Sequence, residues 1–382
     1  MIKLQNIFNR TSLCLSSTLL TIIPFSINGT TLVSANTVNA EHLGLSTKNK
    51  NNNEVLQKII NSSSNVHQTI YIPEGTYYFG NGDILLHSNI TFRFAKKAIF
   101  KIPSGHMLTF SYPSPSNGYN GGIQNVHWYN ATFIGENHGK QSSITQSLNH
   151  AKNISFKNCT FYNTQNPYGH DFDIDGSHNI SISNSIFTGF NPAPKNIFKE
   201  AIQIDYSNRT AMTYIVPSDK YDNLPTYNVY VQNNQFLPIK TTKGIKSFAP
   251  NPIGEHTFYI NKPQRFVHNI IFNNNTVIDS IPRSSINQAT INFDGVDHLT
   301  ISNNHFINTQ SRNTANYIRI YNPLNKYRIS EIKIYNNTFI RINPLDQFIQ
   351  LKTNTFQSGI NKIFIENNHV LLTPQLSNQV QH

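Results

Sequence analysis

Eight nine-residue segments constrain this chain more than any other feature. They read "NVHWYNATF" from residue 125, "NISFKNCTF" from 153, "NISISNSIF" from 179, "NVYVQNNQF" from 228, "NIIFNNNTV" from 269, "HLTISNNHF" from 298, "EIKIYNNTF" from 331 and "KIFIENNHV" from 362. Each carries apolar residues at its second and fourth positions, Asn at the sixth, and Phe or Val at the ninth. Successive starts lie 28, 26, 49, 41, 29, 33 and 31 residues apart. The two-residue alternation predicts a short strand with one buried face. The sixth-position residues, Asn130, Asn158, Asn184, Asn233, Asn274, Asn303, Asn336 and Asn367, stand where each strand must turn. Asn accepts left-handed backbone there and hydrogen-bonds to nearby backbone groups.

A unit this short cannot bury its own apolar face, so units must stack on one another. Stacked coils with aligned apolar positions and turn asparagines describe an all-β solenoid, a parallel β-helix with a single strand set per coil. In "NNEVLQKIINSSS", Val55, Leu56, Ile59 and Ile60 fall on one helical face, which predicts a short N-terminal helix capping the open end. The solenoid is expected over residues 41–370, followed by a C-terminal tail, 371–382.

Residues 1–40 read as an export signal. Lys3 and Arg10 precede the apolar run "LCLSSTLLTIIPFSING", and "LVSA" (32–35) and "TVNA" (37–40) both offer cleavage sites. The expectation is a secreted, extracellular protein with no membrane span once the signal is removed. Of the two cysteines, only Cys159 lies beyond the signal, and it is expected to be a small buried apolar residue. The formal charge of +11 suits an anionic partner, but the basic residues are scattered and no nucleic-acid motif occurs, so no nucleic-acid partner is expected.

Between the repeats runs a second alternating strand: "HDFDIDG" (170), "EAIQIDY" (200), "EHTFYIN" (255), "ATINFDG" (289), "NYIRIYN" (316) and "QFIQLKT" (347). With Phe172/Ile174, Ile202/Ile204, Phe258/Ile260, Ile291/Phe293, Ile318/Ile320 and Ile349/Leu351 inward, the alternate residues point outward. One outward column is Asp173, Gln203, Tyr259, Asn292, Arg319 and Gln350. The next is Asp175, Asp205, Asn261, Asp294, Tyr321 and Lys352. His170, Glu200 and His256 open their strands. The chain has only 19 carboxylates against 30 lysines and arginines, yet it gathers Asp171, Asp173, Asp175, Glu200 and Asp205 on what is expected to be a wet face. Such like-charge crowding is unfavourable unless a proton, cation or ligand relieves it, which marks a site. Insertions at 188–227 and 237–268 would wall a groove, with aromatics including Tyr206 and Tyr259 suited to stacking on sugars.

"IYIPEGTYYF" followed by Asn-punctuated coils resembles the right-handed β-helix proteins of the pectin-lyase-like superfamily, a resemblance covering roughly residues 50–370. It implies a right-handed solenoid, a fold that serves hydrolases, lyases, epimerases and phage tailspikes. Within that group the outward strands are similar to those of polygalacturonase-like glycoside hydrolases. "DFDIDGSHNISISN" resembles their first site strand, with His170 in the slot of an aspartate. "KEAIQID" resembles the second, with Glu200 on an aspartate position and Lys199 in place of the other. "GEHTFYI" places His256 on the family's histidine, and "YIRIYN" matches its arginine with Arg319 while Tyr321 stands where lysine belongs.

The function expected from these readings is polysaccharide cleavage by glycoside hydrolysis with paired carboxylates, with anionic polysaccharides among the expected substrates. Asp173, Glu200 and Asp205 would act as acid and base, and His170 and His256 would tune or orient them. Asp171, Asp175, Gln203, Tyr206, Tyr259, Asn292, Asp294, Arg319 and Tyr321 would bind substrate. Asp173 and Asp205, offset by two residues on neighbouring coils, would lie about 8 Å apart, which favours inversion. No cofactor or metal is required by this reading, and a monomer is expected. One alternative is a lyase or epimerase on uronic-acid polymers, with Ca²⁺ held by the aspartates. The other is a non-catalytic glycan-binding adhesin or tailspike-like protein.

Overall fold

A computed structural model describes residues 36–62, 67–255, 266–281, 288–309, 316–324, 328–341, 348–353 and 359–372. Its strands form three long parallel sheets of 11, 10 and 9 strands, each sheet ordered as its strands occur in the sequence. One coil shows the plan. Lys152–Lys157 lies in the first sheet, Thr160–Tyr162 in the second and Phe172–Asp175 in the third, and His178–Ser183 then returns to the first. This is the all-β parallel solenoid that the repeat predicts.

The nonamer maps onto the coil residue by residue. In the first seven copies its second and fourth positions, such as Ile180/Ile182, Val229/Val231 and Ile332/Ile334, are buried, whereas in the last copy Ile363 and Ile365 are exposed. Ninth-position rings stack through the core: Phe161 on Phe187 at 4.7 Å and Phe187 on Phe236 at 4.8 Å, each pair within 8° of parallel. All eight sixth-position asparagines have positive φ, from 52° to 59°. The first position is left-handed as well, at Asn125, Asn153, Asn179, Asn228 and Asn269 and then at His298, Glu331 and Lys362, a second corner that the sequence reading did not assign.

The seventh position builds the buried counterpart of these corners. Cys159 N donates to Ser185 Oγ (3.0 Å), and Ser185 N donates to Asn234 Oδ1 (2.8 Å). From there the backbone N and side-chain Nδ2 of Asn234, Asn275, Asn304 and Asn337 each donate to the Oδ1 of the next rung, ending at Asn368. Each Nδ2 also donates back to a carbonyl of the preceding coil, for example Asn275 to Val231 O at 2.9 Å. A buried amide is tolerated only when its donors and acceptor are met, and here identical groups meet one another. Cys159 occupies the same column. It is buried, its thiol is pushed up to about 12 by burial, and it behaves as the small core residue expected.

The helix spans Asn53–Asn61 and buries Leu56, Ile59 and Ile60 over the N-terminal end. Gln57 completes the cap by pairing with the backbone of the first strand of the third sheet. Its Nε2 donates to Leu85 O (3.0 Å), and Leu85 N donates to its Oε1 (2.8 Å). Strand Asn36–Asn39 pairs with Gln68–Ile72, and Ala40 is fully buried. Residues 36–40 therefore belong to the first coil, so a signal boundary at residue 40 would remove a paired strand, whereas one at Ala35 leaves it whole. Residues 1–35 lie outside the described residues. Among the described residues no helix is long and apolar enough to cross a membrane.

Replacing Asn275 by Ala leaves two donors of Asn234 and the Val231 carbonyl unmatched in a dry corner. The expected loss is about 2–3 kcal/mol. Asn274→Gly, one residue earlier on the exposed corner, keeps the left-handed backbone accessible and should cost under about 1 kcal/mol. Urea unfolding midpoints of the two variants test the contrast.

Candidate active site

The third sheet carries the crowded carboxylates, and its register fixes their spacing. Leu85, Ser111, Ser147, Asp173, Gln203, Gly254, Asn292, Arg319 and Gln350 are consecutive partners along one outward column. Beside it, Asp175 is the direct partner of Asp205, and Asp294 of Tyr321. Directly paired strand positions lie about 4.8 Å apart, and the diagonal Asp173–Asp205 separation is about 7–8 Å.

One coil departs from the sequence reading. The strand expected over 255–261 is instead Asn251–Glu255, with Ile253 inward and Gly254 in the column position assigned to Tyr259. "NPIGE" carries Pro and Gly and a single large apolar residue, so its pattern reads as a turn. Glycine is required at 254, because a Cβ there would meet Asn292 O at 2.6 Å and Glu200 Cγ at 2.8 Å. His256 and Tyr259 lie outside the described residues.

The expected wet face is outward-facing but not wet. Asp171, Asp173, Asp175, Glu200, Gln203 and Asp205 are all buried, each at most 2% exposed. The cover is the connection that leaves Asp205 and re-enters the first sheet at Tyr227, which folds back over the preceding coils. Thr213 N donates to Asp173 Oδ2, and Ser147 Oγ donates to Tyr214 O (3.3 Å). Asn149 Nδ2 donates to Lys220 O (2.9 Å), and Ser114 N donates to Asp219 Oδ1 (2.7 Å). The strap is clamped near its far end. His150 bridges Ser114 Oγ (2.6 Å) and Asp222 Oδ1 (2.8 Å), and Asp222 Oδ2 accepts from Gly118 N (2.7 Å). Tyr206, expected to line the groove, is 2% exposed beneath the base of the strap, where it bridges Pro225. The strap's partners Ser114 and His150, and its own Asp219 and Asp222, went unassigned in the sequence. The signal available was the 49-residue gap between the third and fourth nonamers, which holds Asp219 and Asp222.

Burial under the strap changes the acids. The Asp171 carboxyl is pushed up to about 8 by burial, against a lowering bond with Thr164. Asp175 is raised by burial and then by the neighbouring Asp173 and Asp205 carboxyls. Asp205 is raised by burial, opposed by bonds from Tyr206 N (2.8 Å) and Gln203 Nε2 (2.8 Å). Carboxyls this close in a dry setting cannot all ionise, so protons are retained among them at neutral pH. Among the described residues, no three His, Cys, Asp or Glu side chains are arranged to hold a metal ion.

The flanks differ from the centre. His170 Nδ1 hydrogen-bonds Glu200 O (2.7 Å) and so carries its proton there. The Glu200 side chain crosses Gly254, and its charge raises Asp294, whose carboxyl is raised chiefly by burial and lowered by Arg319. Arg319 is 3% exposed. It is paired with Asp294, donates to Asn292 Oδ1 (2.9 Å), and lies 4.7 Å over the Tyr321 ring. Asn292, Asp294, Arg319 and Tyr321 thus form a closed network, and the guanidinium expected to bind a sugar carboxylate already holds one from the protein.

A cleft of about 410 Å³ opens where strap and sheet meet, lined by His170, Phe198, Gln203, Asp205, Met212 and Thr213 among others. Asp205 is the one carboxylate among the described residues that borders it. The arrangement offers a carboxyl of raised proton affinity at a cleft wall, with Asp173 one coil behind.

No protein-family model matches this chain, and no curated protein sequence matches it. Among solved structures it is similar to the surface adhesin PfbA of Streptococcus pneumoniae. One structure aligns at TM-score 0.63 and 17% identity, over 88% of this chain and 97% of that one. A second aligns at 0.59 and 16%, over 88% and 90%. An alginate lyase from Paenibacillus aligns at 0.46 and 13%, over 83% and 96%. At these identities the likeness is one of fold: the chain is a right-handed parallel β-helix.

Two measurements probe the buried cluster and its cover. A carboxyl raised in the folded state holds its proton to higher pH than the unfolded chain does. Its contribution is full below about pH 4, the unfolded value, and is lost as pH rises through the folded one. Stability should therefore fall between pH 5 and 8, and Asp171→Asn should flatten that fall, read from denaturant midpoints at both pH values. His150→Ala removes the clamp and should speed proteolytic nicking within residues 208–222 by about tenfold or more, while amide exchange in the core strands is unchanged.

Proposed function

We propose that this chain is a secreted carbohydrate-active enzyme that cleaves a polysaccharide by adding water across a glycosidic bond. The observation that carries the reading is Asp205, a carboxyl raised by burial that borders a cleft, with Asp173 diagonal to it on the neighbouring coil. Protonated Asp205 gives its proton to the leaving oxygen as the carbon–oxygen bond breaks. Asp173 takes a proton from the water that bonds to the anomeric carbon. The diagonal separation of about 7–8 Å leaves room for that water and favours inversion. Gln203 holds Asp205 in place through its Nε2, and His170 holds the Glu200 backbone at the cleft's edge. The strap tip, Thr210–Thr213, lies over the pair and must lift for substrate to reach Asp173. Its bond to that carboxylate is the single backbone donor of Thr213.

A second reading has its own observation. The strap seals Asp173 and Asp175 from solvent, as suits a structural cluster, and both PfbA structures are described as those of a surface adhesin. On that reading the chain binds glycan without cleaving it. Asp205→Asn is the deciding variant. The hydrolase reading expects wild-type protein to release reducing ends from a polysaccharide panel, and Asp205→Asn to lose at least about a hundredfold of that rate at unchanged melting temperature. Retained release in the variant would remove Asp205 from the chemistry. Binding without any release by the wild type would favour the adhesin.

A further inference from the structure

We propose that the cleft beside Asp205 takes a neutral glycan bearing acetamido groups rather than a uronic-acid polymer; this rests on the carbohydrate-binding reading of the same cleft. Two features of the cleft point this way. The first is electrostatic. Asp205 borders the cleft, and Asp173 and Asp175 stand directly behind it, all three desolvated. A uronate entering here would add another negative charge to a group of carboxyls that already raise one another. No lysine or arginine among the described residues lines the cleft, and Arg319, the cation in the same outward column, is bound by Asp294 and Asn292 and sits over Tyr321. The chain's +11 charge therefore gives no guide to what this cleft accepts.

The second feature is its mixed lining. The amide-bearing Gln203 and Asn166 share the cleft wall with apolar side chains, Met107 from the sheet and Ala211 and Met212 from the strap. A hydroxyl turned toward the apolar part of such a lining would lose its partners, which is costly. An acetamido substituent in place of a hydroxyl carries both a methyl suited to the methionines and alanine and an amide suited to Gln203 and Asn166. At the mouth, Tyr168 is 66% exposed and offers a ring on which an adjoining sugar can stack. A volume near 410 Å³ lies within the ordinary range for small-ligand sites.

The test uses the wild-type full-length chain in the cold, which slows turnover during binding while keeping the Asp205 carboxyl at the cleft wall. It is applied to an array displaying α- and β-linked N-acetylglucosamine and N-acetylgalactosamine glycans, cellotetraose and tetragalacturonate, and the retained glycans are then titrated calorimetrically. The expected result is retention of acetamido glycans with at least about tenfold tighter binding than tetragalacturonate or cellotetraose. Ala211→Arg, which fills the cleft from the strap, should weaken that binding by about tenfold or more at unchanged melting temperature. Tetragalacturonate bound as tightly, no acetamido glycan retained, or undiminished binding in Ala211→Arg would each overturn the proposal. Reducing-end release by the wild type separates the two claims. Cleavage of tetragalacturonate would sink the substrate class and keep the hydrolase, whereas selective acetamido binding without release would keep the substrate class and sink the hydrolase.

Discussion

The parallel register between successive coils positions everything else in this molecule. Each strand pairs with its counterpart one coil away, so residues 22 to 51 positions apart in the chain become neighbours at strand spacing. The nonamer's inward pairs supply the apolar burial that holds coils together, and the seventh-position amides lock the rotation of one coil on the next. Sliding one strand by a single residue would turn its inward side chains outward, so the core itself enforces the alignment. The same enforcement brings Asp175 against Asp205 with no attraction between them.

That juxtaposition opposes folding locally, and the rest of the solenoid sustains it. Asp173, Asp175 and Asp205 are desolvated by a strap that is fastened through His150, Ser114 and Asn149 on earlier coils. The favourable clamping of the cover lies right beside the unfavourable crowding of acids, since Asn149 is the direct strand partner of Asp175. This cover lets a cluster with raised proton affinity persist beside a cleft, where a surface cluster would ionise and be screened.

Much of this was legible in the sequence, because a solenoid turns sequence periodicity directly into position. The sixth-position asparagines announced their corners, and the inward pairs Phe172/Ile174 and Ile202/Ile204 announced which carboxylates share a face. What stayed hidden was not periodic. "NPIGE" forms a strand only because its neighbours supply the pairing, while the better-alternating "HTFYI" beside it drew the assignment. The strap could not be foreseen, since its contacts run from Tyr214 and Asp222 to residues 67 to 104 positions earlier with no shared pattern. Outwardness was readable; dryness depended on that cover. Arg319 was placed in the right column, but its engagement with Asp294 needed the diagonal geometry of two coils.

The seventh-position ladder has a consequence for how such a chain can change length. Every rung from Asn234 to Asn337 presents the same acceptor to the coil before it and the same donors to the coil after it. The rungs are interchangeable modules, and removing or duplicating one entire turn of the spiral would rejoin matching groups on both sides of the splice. A fractional turn would strand an amide in the dry corner and rotate every later column away from its partners. Growth and shrinkage of this architecture are therefore quantised.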